Sequence, residues 1–236
     1  MATNTSTVPT LTAVIDQLGL YVNMMSATAG TIGGICNLLV FTAPALQKNA
    51  SVFYLLGATV FQILSLVIVI PSRVAIDNFG SKLDLQSISY CKFRSYSVVT
   101  WPQVVTYFML LASVDRFLAT SRDVNVRAWS HIKVARVSSL ILIIVCHLCT
   151  IPILIFNIIE NGACQIASSS GIYPIFNAVY LLVIVSILPH LLMMYFSILT
   201  FRQVRQRVQP TETTLQTGNQ TRRVKRFEFQ LLFVRK

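Results

Sequence analysis

The sequence predicts an all-α membrane protein, a helical bundle with five complete transmembrane helices and the start of a sixth. Three observations predict it. Hydrophobic residues make up 54% of the 236-residue chain and charged ones only 11%, far below the roughly 25% charged of a soluble domain. Five apolar stretches, near residues 18–44, 52–72, 95–118, 134–159 and 173–201, reach the length of about 20 residues that crosses a hydrocarbon core of about 30 Å. The basic residues lie between these stretches, crowded on alternate connections, which is the pattern that orients membrane helices.

Residues 1–17, "MATNTSTVPTLTAVIDQ", form a polar tail without the basic and apolar segments of a cleavable signal peptide, so the first span is expected to insert as its own signal. Asn4-Thr5-Ser6 in this tail is a glycosylation sequon, usable if the tail faces outward. The second span carries Gln62 as its one strongly polar side chain. The fourth is the plainest: Val137 to Ile159 contains fifteen Val, Ile, Leu and Phe and no charge, and at the usual per-residue values these contribute about −5 to −9 kcal/mol to insertion.

With the N-terminus outside, the inner segments hold Lys48, then Arg116, Arg122, Arg127, Lys133 and Arg136, then nine more Lys and Arg from Arg202 to Lys236. That makes fifteen bases inside against four outside, Arg73, Lys82, Lys92 and Arg94. The bias assigns the basic side to the cytoplasm. It also accounts for the net charge of +11 without nucleic acid as a partner; the lipid bilayer is the partner that the pattern requires.

The last segments are less regular. Residues 202–226 form a polar, basic inner loop with Pro210 near its centre, and 227–236 turn apolar again. A run that short cannot span a bilayer, so it is either an interfacial amphipathic end or the start of a sixth span; the second is the expectation adopted. The organisation is then a tail over 1–17, a five-helix bundle over 18–201, a cytoplasmic loop over 202–226 and the beginning of a sixth helix over 227–236.

The third span carries the most information. Cys91 precedes Arg116 by 25 residues (116 − 91), which is about 37 Å of helix at 1.5 Å per residue. One helix therefore places Cys91 at the outer rim and Asp115-Arg116 at the inner rim, where an arginine costs much less than at the bilayer centre. Of the five cysteines, Cys36, Cys146 and Cys149 fall inside spans, while Cys91 and Cys164 lie outside the membrane on the oxidising side. A disulfide between Cys91 and Cys164 is the expected pairing.

These features resemble the rhodopsin-like G-protein-coupled receptors over roughly residues 18–235. The motifs are "GGICNLLVF" with Asn37 in helix one, Cys91 with Cys164, "DRF" over Asp115, Arg116 and Phe117, and "SILPHLLMMYF" with Pro189 in helix five. The resemblance implies a partial seven-helix receptor fold, truncated after the start of the sixth helix. It implies a plasma-membrane protein with an extracellular N-terminus that senses an extracellular ligand and activates a heterotrimeric G protein. Asn37 and Pro189 would then serve helix packing. Asp115 would restrain Arg116 in the resting state, with Glu228 as a second candidate acid, and no cofactor is needed.

The departures from the family pattern narrow the reading. Gln62 stands in a span where the family commonly has a sodium-binding Asp, Val98 where amine receptors carry an Asp, Ser197 where a Tyr usually meets the arginine, and the fourth span has no Trp. A protonated-amine ligand is disfavoured and a peptide is mildly favoured. Ser95, Ser97, Thr100, Gln103 and Thr106 on the third helix could face a ligand, though packing between helices is the simpler role for each. Enzyme chemistry is not expected: His131, His147 and His190 are far apart, "CHLC" at Cys146–Cys149 splays round an apolar helix, and no acid lies deep in a span. The alternatives to a signalling receptor are a truncated non-signalling receptor and a five-span scaffold or transport protein.

Overall fold

The structure is a computed structural model that describes residues 7–44, 46, 49–77, 87–160, 163–166 and 171–206. Five helices in it are long and apolar enough to cross a membrane. Helix α1 covers Thr7–Phe41 and is already helical well before the expected start near residue 18. Pro9 in its first turn permits this, because no intrahelical donor is lost there. Helix α2 joins an α segment over Ala50–Leu64, a π-helical stretch over Ser65–Val69 and a second α segment over Ile70–Asp77. Helix α3 covers Ile88–Thr120, with the Ser87 hydroxyl accepting from the Tyr90 N–H at its start.

A one-turn helix over Val124–Arg127 leads into α4, Ile132–Phe156. Helix α5 covers Tyr173–Gln206, with a π-helical stretch over Tyr180–Ile187. Between α4 and α5 the chain forms an antiparallel hairpin absent from the sequence expectation. Strand β1, Asn157–Glu160, pairs with β2, Ala163–Ile166, in the register Ile159↔Cys164. The sequence between the strands is Asn161-Gly162, the strongest short-range signal for a hairpin connection.

Helix α3 is the centre of the bundle, and its packing follows from residue spacing. Val104, Phe108 and Ala112 recur every four residues and bury one stripe against a matching stripe of α2, Ala50, Tyr54 and Ala58, with Ala135 and Cys146 of α4 closing the cluster. Small residues in both stripes let the helices approach closely. Several polar groups of this region are paired: the Thr100 hydroxyl donates to Thr150 at 2.8 Å, Thr150 donates back to its own helix at Cys146, and Tyr54 and Ser138 share a 2.6 Å bond.

Helix α1 meets α2 at glycines. A Cβ on Gly30 or Gly34 would lie 2.8 Å from the side chain of Leu66 or Ile63, so a side chain there would require that neighbour, or the helix contact itself, to give way. The outer faces of α1, α4 and α5 remain apolar and uncovered by protein, with Leu39, Leu148 and Phe201 each more than half exposed. Lipid is the solvent that makes such faces stable. The chain is thus a multi-pass membrane protein.

Candidate functional site

The end of the bundle at the start of α3, the outer one on the orientation expected from the charge bias, is fixed by a covalent tie. Cys91, in the first turn of α3, is disulfide-bonded to Cys164 on β2. The hairpin is held over the end of α3 by this bond, while buried Asn157 fastens its first strand to α4, its amide donating to the Ile153 carbonyl at 2.6 Å. Ser95 lies one turn further along, 3.5 Å from the Cys164 sulfur.

Most of the polar groups on the outer half of α3 are taken up by the protein itself. Ser97 donates to Phe93 and Thr106 to Pro102 within the helix, and Thr100 bonds Thr150. Gln103 bonds the Tyr180 hydroxyl of α5 at 2.9 Å, and Tyr107 donates to the Ile184 carbonyl inside the π-helical stretch at 2.8 Å. Sequence reasoning named Gln103 but not Tyr107 or Tyr180, whose roles depend on which helices become neighbours.

At the opposite end, the inner one on the same expectation, the adjacent residues Asp115 and Arg116 part company. Asp115 is buried and its carboxylate accepts from two hydroxyls, Ser51 at the start of α2 and Ser130 in the turn before α4, the latter at 2.7 Å. Arg116 is exposed and lines a cavity of about 710 Å³ together with Met109, Ser113, Met193, Ser197 and Phe201. Neither forms an ion pair with a described residue. Successive residues on an α-helix point about 100° apart, so a carboxylate directed at α2 leaves its neighbour directed elsewhere.

Phe117 reaches α5, with its ring 5.7 Å from that of Phe196. The same end of α3 is tied to α5 by Thr120 donating to Gln203 at 2.8 Å and Arg122 donating to the Gln206 carbonyl at 3.1 Å. Pro189 is fully buried, whereas the side chain of Asn37 is exposed on α1. Asn4, Glu228, residues 227–236 and the loop beyond Gln206 lie outside the described residues. Ser51 and Ser130 were not legible as Asp115 partners, because serines before a span carry no signal of what they will face.

Against this geometry, the profile of the 7 transmembrane receptor (rhodopsin family) matches residues 35–234, and the chain belongs to that family. Members of it are receptors that take extracellular ligands and act through G proteins. No curated protein matches the chain.

Proposed function

We propose that this chain is a plasma-membrane receptor, with its N-terminus outside, that converts binding of an extracellular ligand into activation of a cytoplasmic G protein through Asp115, Arg116 and Phe117. The observation that carries the reading is the state of Arg116: an exposed guanidinium without an ionic partner among the described residues, on the wall of a largely apolar cavity between α3 and α5. The last carbonyls of a helix are unsatisfied and carry partial negative charge. A guanidinium offers five donors in a planar fork. The cavity is therefore suited to the C-terminal end of an amphipathic helix from a partner, its apolar face against Met109, Met193 and Phe201 and its terminal carbonyls on Arg116.

On the outer side a peptide is the favoured ligand class. Val98 stands where an ammonium ligand would need an acid, and the neutral groups of α3 are already paired within the protein, leaving the hairpin and helix ends as the accessible surface. Backbone-rich ligands suit a two-stranded sheet, which can take a further strand at its edge.

The test is guanine-nucleotide exchange on purified G-protein heterotrimers by the chain reconstituted in lipid vesicles, with a pool of small peptides as probes. Arg116→Ala should remove the exchange while leaving insertion and disulfide formation intact. Equal exchange by the variant and the parent would remove Arg116 from the coupling role.

A further inference from the structure

We infer that Ser130 is a phosphorylation site whose modification releases the turn before α4 from α3. The inference rests on the cytoplasmic placement of this turn given above. Ser130 stands outside helix, between exposed Trp129 and exposed His131, and is itself half-buried. Arg127 lies three residues before it and Lys133 three after, so an acidic substrate groove of a kinase has a cation to hold on either side. Its alternatives nearby are worse placed: Ser121 is buried, and Thr120 is inside α3 and bonded to Gln203. The segment leading to Ser130 contains only the single helical turn Val124–Arg127, and a turn that short has little stability of its own, so it can be drawn out to an extended form.

What singles out Ser130 is the hydroxyl proton. It is donated to Asp115 at 2.7 Å, and phosphorylation removes it. The γ-phosphorus of ATP forms a bond to the Ser130 oxygen as its bond to the ADP oxygen breaks; the hydroxyl proton passes to the kinase's base and ADP leaves. The product places a phosphate of charge about −1.5 to −2 beside a carboxylate, with the donor that joined them gone. Like-charge repulsion then expels the turn, and the phosphate is drawn outward to the cations of the same rim, Arg127 and Lys133. Asp115 keeps Ser51, so α3 stays joined to α2 while the turn comes free.

The experiment uses the full chain in lipid discs, treated with ATP and a serine kinase that selects arginine three residues before its target, then with trypsin over a time course. Phosphate should map to Ser130 and be lost in Ser130→Ala, and cleavage after Arg127 should accelerate several-fold and return to its starting rate after phosphatase treatment. Absence of phosphate on Ser130, under conditions where a free peptide of residues 122–136 accepts it, overturns the site. Phosphorylated Ser130 with unaltered cleavage overturns the release. Placement is read separately from Trp129→Cys in intact cells: labelling by an impermeant maleimide from outside would overturn the cytoplasmic assignment, and silence with labelling after permeabilisation supports it.

Discussion

Asp115 of α3 and Ser51 of α2, 64 positions apart in the chain, share a hydrogen bond near the C-terminal end of α3, and the arginine next to Asp115 takes no part in it. The acid here joins helices and loop to one another. Removing it strands two hydroxyls, Ser51 and Ser130, in a part-buried site.

Asp115→Ala should therefore destabilise the protein by about 1–3 kcal/mol, the cost of leaving such groups unsatisfied. Asp115→Asn, which keeps one carbonyl acceptor, should lose less. Thermal unfolding of both variants in the same detergent checks the order; an unchanged midpoint for Asp115→Ala would mean that the network contributes no stability.

Two neighbouring glycines give an internal comparison at the α1–α2 contact. Gly34 has Ile63 where its Cβ would be, whereas nothing lies within 4 Å of a Cβ on Gly33. Gly34→Val should cost about 1–3 kcal/mol by overpacking, and Gly33→Val, facing lipid, should be close to neutral. The same unfolding assay separates them, and equal losses would argue that α1 does not sit at this distance from α2.

Tyr107 serves the π-helical part of α5 by donating to the Ile184 carbonyl. Tyr107→Phe keeps the ring and removes that donor, for an expected loss of about 0.6 kcal/mol and at most about 1.7, the range for hydrogen bonds between membrane helices. Tyr195→Phe, at an exposed ring on the same helix, serves as the control and should not change stability. Amide exchange at Ile184 to Leu188 should rise in the first variant only.

The disulfide closes a loop with its cysteines 73 positions apart. Peptide mapping without reduction should recover Cys91 and Cys164 in one linked fragment. Cys164→Ser should lower stability by about 2–4 kcal/mol and expose the hairpin to proteases. Recovery of both as free thiols would remove the outer tie from the account.

The five helices were legible because lipid imposes one requirement, a long uncharged run, that can be counted in sequence. The spacing of Cys91 and Asp115 put them near opposite ends of one helix, as α3 has them, and the disulfide expected of the two cysteines outside the spans is present. The β-hairpin was missed because "NIIE" continues the apolar run of α4 without a change of composition, and only Asn161-Gly162 marked the reversal. Partners across helices were not legible at all. That Asp115 turns to Ser51 and Ser130, or Gln103 to Tyr180, depends on the rotation of each helix about its axis. Adjacency in sequence suggested Asp115 with Arg116, whereas in this structure the carboxylate turns to the two serines and the guanidinium to the cavity between α3 and α5, in keeping with their different directions round the helix.

The ties at the two rims have a mechanical consequence for α3. Cys91 fastens one end to the hairpin and Asp115 fastens the other to α2 and the turn, across 24 residues (115 − 91), or about 36 Å of helix. A rod clamped near both ends has no lengthwise stroke unless one clamp opens. A push on the hairpin would then turn or tilt the rod rather than slide it, and the groups such a motion would carry are the Gln103 and Tyr107 contacts with α5 and the guanidinium of Arg116.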